Sequence, residues 1–264
     1  MARSTQDSWP AVPWPWAWAG LAFGVLISLV LFAPARWLAA GLQAASSGRV
    51  VLDDPSGTVW NGSARLLLAG GAGSNDIAAL PGRIDWRLRP SWTGANAELS
   101  AACCTTAPVP LQARLGWGGG RVRIGDQRTH WPAAVLAGLG TPWNTLQIDG
   151  ELLLATQGLS VEWIEGRLAV SGRAELTASR LSSRLSTLRP MGSYRITLTG
   201  GPQSTLQLET LEGALQLSGS GQWVGSRLRF SGIASAAPDR AAALSNLLNI
   251  IGRRSGAQSI ITIG

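Results

Sequence analysis

The strict alternation of apolar and polar residues in short runs is the feature of this sequence that most limits its fold. In "RIDWRLR", Ile84, Trp86 and Leu88 alternate with charged residues, and the same period of two recurs in "YRITL", "TLQLETLEGALQL" and "RLRF". Strands with one apolar and one polar face belong to antiparallel sheets, because the strands of parallel, helix-covered sheets are apolar on both faces. The alternation therefore predicts a mainly β, antiparallel fold.

A second pattern places a tryptophan before one or more glycines, with an arginine four or five positions after the tryptophan. It occurs at Trp60, Trp117, Trp163 and Trp223, which are followed by Arg65, Arg121, Arg167 and Arg227. Glycine provides the positive φ that tight turns require, so each stretch predicts a β-hairpin. The uneven spacing indicates a hairpin used repeatedly rather than a solenoid of fixed period. We interpret the four tryptophans as a structural repeat.

The N-terminal part of the chain has no charged residue between Asp7 and Arg36, and tryptophans lie near both ends of this apolar run. Residues 14–35 are long enough to cross a bilayer as a helix, which takes about 20 residues, and tryptophan prefers the headgroup level. The segment predicts a single transmembrane signal anchor. A cleaved signal peptide is the alternative, but the run exceeds the roughly 7–15 apolar residues of such a peptide.

The anchor divides the chain into four parts. Residues 1–13 form a tail, 14–35 the anchor, 36–49 a linker of small residues and 50–264 the β domain. Short alternating runs between Gly, Pro and Ser clusters predict that this domain is a hairpin-rich twisted sheet, or a sandwich or half-barrel.

Two short helices are predicted within the β domain, at Trp131–Gly140 and Pro238–Arg254. The second helix carries an apolar stripe at helical spacing, which consists of Leu244, Leu247, Leu248 and Ile251. Such a stripe normally packs against its own domain, and this is our first interpretation. The alternative is that the four residues form a face for a partner protein.

The chain has 22 basic residues, all of them arginine, and a formal net charge of +7. The arginines are scattered along the strand-like runs, with no cluster longer than Arg253-Arg254, so we interpret them as sheet surface rather than as a nucleic-acid site. The lack of lysine excludes a Schiff-base or P-loop lysine, and the single histidine, His130, excludes a multi-histidine metal site. No catalytic, cofactor-binding or metal-binding residue is predicted, which favours a non-enzymatic protein.

The two cysteines, Cys103 and Cys104, are adjacent in the sequence. In an oxidising compartment they can form a vicinal disulfide, although Cα atoms about 3.8 Å apart lie below the usual range of about 4.4–6.8 Å. We predict this intramolecular disulfide. Two reduced cysteines on opposite faces of a strand, and a bridge to another chain, are the alternatives.

Six motifs follow the predicted anchor in order: "GTVWNG", "PGRIDWRLRP", "LQIDGELLL", "MGSYRITLTGG", "LEGALQLSGSGQW" and "LLNIIGRRSG". With the single anchor before them, they resemble the type II secretion system protein N family over nearly the whole chain. The motifs consist of glycine, tryptophan and alternating apolar residues, so they are structural. The tryptophans before the anchor and the Cys-Cys pair match no pattern of the family.

The resemblance implies a single-pass protein of the bacterial inner membrane, with residues 1–13 in the cytoplasm and the β domain in the periplasm. It implies a non-enzymatic accessory subunit of the type II secretion machinery, which binds other components of that machinery and needs no cofactor. A looser likeness to periplasmic β-groove proteins of lipid traffic and outer-membrane biogenesis leaves an alternative, in which the apolar face of the sheet contacts lipid acyl chains.

Overall fold

The fold is a single open sheet. A computed structural model describes residues 14–71, 76–164, 167–225 and 227–264, and the predicted tail, 1–13, lies outside them. Within the described ranges, sixteen strands form one antiparallel sheet, and 57% of the residues are in strands. The mainly β, hairpin-rich fold predicted from the sequence is confirmed, in the form of one open sheet.

Each strand of the sheet pairs mainly with its near neighbours in the chain. Two short strands lie beside the main path of the sheet, because β3 pairs only with β2 and β8 only with β9. The first eight strands are β1 (Val50–Gly57), β2 (Asn61–Ala69), β3 (Ile77–Ala79), β4 (Ile84–Ser91), β5 (Gly94–Ala101), β6 (Val109–Gly116), β7 (Gly119–Ile124) and β8 (Gln127–Pro132). The other eight are β9 (Ile148–Ile164), β10 (Arg167–Ser183), β11 (Gly192–Thr199), β12 (Thr205–Gly213), β13 (Leu215–Val224), β14 (Arg227–Ala236), β15 (Arg253–Ser255) and β16 (Gln258–Ile263).

The helices of the described residues are short, apart from the first. The α-helices are α1 (Trp14–Leu31), α2 (Ala35–Ala45), α3 (Trp143–Leu146) and α4 (Ala241–Ile251), and the 3₁₀ helices are Ala133–Leu139 and Pro238–Arg240. Both short helices predicted in the domain are therefore present. The first begins later than predicted, because β8 extends through Pro132, and the second ends before Arg253, which starts β15.

Because successive strands are antiparallel, the connections between them alternate between two ends of the sheet. The hairpin end holds the tight turns β1–β2, β4–β5, β6–β7, β9–β10 and β13–β14. The helical end holds the longer connections, which contain the 3₁₀ helix Ala133–Leu139, α3 and α4, together with the short β12–β13 and β15–β16 turns. All four Trp-Gly-Arg stretches lie at tight turns of the hairpin end.

The residues predicted as anchor and linker are divided differently in the structure. α1 ends at Leu31, before the predicted boundary at 35, and α2 occupies most of the predicted linker, 36–49. Ala35 and Ala39 of α2 are buried against β1 and β2. The small residues predict a linker, but alanine is also the strongest helix former, and here the alanines allow a close approach of helix to sheet.

The register brings apolar residues of neighbouring strands side by side on one face of the sheet. Leu88 lies opposite Ala97, and Leu176 lies opposite Ile196, which in turn faces Leu208. This apolar face also receives α2, α3, α4 and the 3₁₀ helix Ala133–Leu139, whereas the other, polar face carries arginine and glutamate side chains. A sheet with one apolar face and one solvent-exposed polar face is the arrangement that the alternation predicts.

The largest buried cluster lies on the apolar face at the helical end. It consists of Ala133, Leu146, Leu152, Ala178, Leu181, Met191, Tyr194, Leu215, Ala234, Leu244, Leu247 and Leu248. Removing one leucine side chain from water contributes roughly 1.5–3 kcal/mol, so we expect this cluster to supply much of the stability of the domain.

A smaller cluster surrounds Trp86 beneath α2. The indole N–H donates hydrogen bonds to the carbonyl oxygens of Thr58 and Val59, at 3.2 and 3.1 Å. The Trp86 ring lies over Gly62 of the adjacent strand, where an added Cβ would be 2.6 Å from a ring carbon. Glycine at this position therefore makes room for the aromatic ring.

Candidate functional site: the open face and the two ends of the sheet

The centre of the apolar face is not covered by any helix or strand of the described residues. Its side chains are only partly buried, and they include Leu88, Leu111, Val122, Leu154, Val161, Leu176, Ile196, Leu208 and Leu217. These residues run from β4 to β13, which are nine neighbouring strands of the sheet, and strands lie about 4.8 Å apart, so the apolar strip extends across roughly 40 Å. A continuous apolar surface of this extent is typical of an interaction site.

The polar face is held by exposed ion pairs between neighbouring strands. The guanidinium of Arg121 lies 3.0 Å from the carboxylate of Glu162, and that of Arg195 lies 3.0 Å from Glu209. Exposed pairs of this kind contribute less than about 1 kcal/mol each. A solvated sheet surface explains these arginines.

The two edges of the sheet differ in their capacity to accept another strand. On β1, Asp53, Asp54 and Pro55 stand at the edge, and the register is interrupted between Asp53 and Ser56. Charges, proline and bulges all hinder pairing. At the other edge, β15 pairs with β16 only as far as Ile260. In the described chain, no strand lies outside the last residues of β16, and this edge can accept a strand from another protein.

The hairpin end carries large exposed apolar side chains. Trp92, in the β4–β5 turn, and Trp117, in the β6–β7 turn, have relative exposures of 105% and 106%. Leu115, Ile164 and Leu168 are also exposed beside these turns or the β9–β10 turn. Trp92 is not among the site residues predicted from the sequence. The only sign there that it lies at a turn is its position next to Thr93 and Gly94.

α1 is attached at the same hairpin end. The indole N–H of Trp60 donates a hydrogen bond to the carbonyl oxygen of Val30 at 2.7 Å, and the backbone N–H of Val59 donates to Ala33 at 2.8 Å. α1 has no buried residue, and it is long and apolar enough to cross a membrane. The contacts of Trp60 and Val59 therefore join an exposed apolar helix to the β1–β2 turn.

The four tryptophans of the repeat occupy equivalent hairpins but different surroundings. Trp60 contacts the end of α1, the Trp163 ring lies over Gly120 of β7, Trp223 is partly buried, and Trp117 is fully exposed. A structural role for the repeat stays a prediction. It is supported by the contacts of Trp60 and Trp163, and Trp117 has none of this kind.

The apolar stripe of α4 lies inside the domain. Leu244, Leu247 and Leu248 are buried against the sheet, and Ile251 is partly buried beside them. These residues can reach a partner protein only if α4 leaves the apolar face. The packing therefore supports our first interpretation of the stripe.

The cysteine pair lies in the β5–β6 connection at the helical end, where a disulfide joins Cys103 to Cys104. Cys104 is buried beside Leu80 and Ala101, whereas Cys103 is exposed. The backbone N–H of His130 donates a hydrogen bond to the carbonyl oxygen of Cys104, which ties this connection to β8.

Tyr194 is the one buried titratable group with a displaced pKa in the described residues. Its hydroxyl donates a hydrogen bond to the carbonyl oxygen of Leu215 at 3.1 Å. Burial raises the pKa of the Tyr194 hydroxyl above its ordinary value, because the charged phenolate is disfavoured away from water. Its position within the core indicates a structural rather than a catalytic group.

No three His, Cys, Asp or Glu side chains in the described ranges are grouped so that they could hold a metal ion. What the structure presents instead is an open β scaffold whose distinctive surfaces are an apolar face, a free edge and exposed hairpin tips. Residues 48–261 match the sequence profile of the family described as type II secretion system (T2SS), protein N. The chain belongs to this family, as its motifs indicated. No curated protein and no solved structure gives a significant match.

Proposed function

We propose that the chain is a non-enzymatic accessory subunit of the type II secretion machinery, anchored in the inner membrane by α1, with the β domain in the periplasm. The observation that carries this proposal is the family match over residues 48–261, which supports an accessory role in type II secretion. The fully exposed α1, attached to the domain through Trp60, supports the anchoring.

The anchoring and the location are tested together in cells. Alkaline phosphatase fused after Gly264 folds to an active enzyme only in the periplasm, and we expect high activity together with resistance of the fusion to carbonate extraction. Replacing Leu26 and Leu29 by arginine should release the protein from membranes, because arginine near the middle of a span costs about 2.5–3.5 kcal/mol. An inactive phosphatase, or a wild-type protein extracted by carbonate, contradicts the proposal.

Partner binding is assigned to the free edge of β16. A backbone edge that lacks a neighbour forms hydrogen bonds with an added strand, and β16 ends with the exposed residues Thr262 and Ile263. A photo-crosslinking amino acid at Thr262 should capture another component of the secretion machinery in cells. Ser231, which faces Thr262 from β14 and has strands on both sides, is the matched control position. Equal crosslinking from both positions argues against edge binding.

A second candidate function, contact with lipid acyl chains, is favoured by the partly exposed apolar face. Leu176, Ile196 and Leu208 lie side by side there. The test is a phospholipid with a photoactivatable acyl chain, incorporated into bilayers that contain the full chain. Crosslinks mapped to these three residues support lipid binding by the face, and crosslinks confined to α1 exclude it.

A further inference from the structure

The hairpins next to α1 extend beyond the point at which α1 is attached. The backbone N–H of Leu88 donates to the carbonyl oxygen of Trp60, which places the β1–β2 turn beside Leu88, while β4 continues to Ser91 before it turns. The N–H of Leu115 donates to Thr93, so the β6–β7 turn lies farther out again. At about 3.3 Å per residue, these turns lie roughly 10–20 Å past the β1–β2 turn along the strands.

The side chains at these turns have the chemistry of a membrane interface. We define the tip surface as Trp92, Leu115, Trp117, Ile164 and Leu168, all of which are exposed. Tryptophan rings partition to the headgroup level of a bilayer, where the ring is shielded and the N–H can still find a polar partner. A fully exposed tryptophan at the tip of a turn contributes no packing to the domain that carries it.

Positive charge lies just behind the tips. Arg89 precedes the β4–β5 turn by a few residues and Arg114 precedes the β6–β7 turn, and both are exposed. Within the described residues neither forms an ion pair, unlike Arg121, which pairs with Glu162. Exposed arginines at this distance from apolar tips match a bilayer with anionic headgroups.

From these observations we infer that the tip surface rests in the interfacial region of the same anionic bilayer that α1 enters. The strands then lie oblique to the membrane, so that the tips and the attachment point of α1 reach a similar depth, and the helical end is directed away from the bilayer. The inference rests on the proposed function, because it takes α1 to be the membrane anchor. It adds a second, peripheral membrane contact made by the β domain itself.

The test uses the full chain in vesicles of phosphatidylethanolamine and phosphatidylglycerol. An environment-sensitive fluorophore is attached to cysteine at Thr93→Cys, which leaves both tip tryptophans in place. Leu26→Cys, within α1, reports on the anchor, and Ala257→Cys, in the β15–β16 turn at the helical end, is the control. The unsubstituted protein measures any labelling of Cys103 and Cys104. Quenching by brominated lipids and by aqueous iodide is then compared.

We expect lipid quenching of the Thr93 label to exceed that of the Ala257 label by at least about twofold, with the reverse order for iodide. Adding Trp92→Ser and Trp117→Ser should abolish this difference and leave quenching of the Leu26 label unchanged. A Thr93 label that is quenched by iodide like Ala257, while Leu26 is quenched by lipid, overturns the inference and leaves the anchor intact. A Leu26 label beyond the reach of lipid quenchers refutes the proposed anchoring instead. Protection of Thr93 from both quenchers means that protein covers the tips, which also overturns it.

Discussion

The two ends of the sheet are made from the same strands but are completed in opposite ways. At the helical end, α4 and the 3₁₀ helix Ala133–Leu139 pack on the apolar face and bury a cluster around Leu244 and Leu248. At the hairpin end, the strands stop at tight turns that leave Trp92 and Trp117 fully exposed. The comparison separates apolar residues that hold the domain together from apolar residues that are available for contact.

The largest difference in the free energy of unfolding is expected between two leucine-to-alanine substitutions, one at each end of the sheet. Leu248→Ala removes a side chain with 1% exposure and should lower the free energy of unfolding by about 2–5 kcal/mol, through lost burial and the cavity left behind. Leu115→Ala, at a position with 67% exposure on the hairpin end, should change it by less than about 0.5 kcal/mol. Urea unfolding followed by circular dichroism measures both. Similar losses for the two variants would remove the distinction between the ends.

Two glycine-to-alanine substitutions should show the same contrast between the packed sheet and the hairpin tips, with an intermediate loss of stability. In Gly62→Ala the new methyl group would lie 2.6 Å from both the Trp86 ring and the carbonyl oxygen of Ser56, so we expect a loss of about 1–3 kcal/mol from overpacking. Gly116, at the β6–β7 turn, has nothing within 4 Å of an added methyl group, and Gly116→Ala is the control. Thermal unfolding of both variants tests whether close packing stops short of the tips.

Tyr194 gives a pH-dependent measure of the helical-end core. Because burial raises its pKa, the folded protein keeps the phenolic proton at pH values where the unfolded chain, with a pKa of about 10, releases it. Stability should therefore fall as pH rises above about 10. Tyr194→Phe removes the hydrogen bond to Leu215, which should cost about 1 kcal/mol at neutral pH. The same substitution should flatten the alkaline decline.

The measurement is the urea midpoint at about pH 8 and about pH 11, for wild type and for Tyr194→Phe. Tyr194 is the only tyrosine in the chain, so tyrosinate absorbance follows this one group. A phenol that ionises in the folded protein at its ordinary pKa would contradict the burial.

The smallest effect is expected from the cysteine pair. The disulfide joins adjacent residues and closes almost no loop, so replacing both Cys103 and Cys104 by serine should change the free energy of unfolding by less than about 1 kcal/mol. The disulfide itself is checked by intact mass after alkylation without reductant. Addition of two alkyl groups would show free thiols and contradict the predicted bond.

The alternation of residues such as Ile84, Trp86 and Leu88 was sufficient to predict the antiparallel sheet and its two faces, because the period of two is a local property. The hairpins were predictable for the same reason, since their turns are marked by glycine. The motifs, taken together, were sufficient to identify the family.

Which apolar residues are covered could not be predicted, because burial depends on segments distant in the sequence. Leu248 and Leu115 both stand in apolar patterns, and only the packing of α4 on the sheet distinguishes them. Trp92 and Trp117 were equally hard to interpret, since a tryptophan beside a glycine turn can either cover a neighbouring strand, as Trp163 does, or point into solvent. The alanines of α2 gave opposite signals, because they suit both a linker and a closely packed helix.

The pairing of strands mainly with their chain neighbours has a consequence for how the domain matures during synthesis. Each new strand finds its partner already in place, so the sheet can lengthen steadily with little search between remote segments. α4 and β16 arrive last, however, and until then the surface that receives Leu244 and Leu248 lies bare. An incompletely synthesised chain therefore exposes apolar surface where α4 and β16 will later pack, and this is the region where we expect a chaperone to bind.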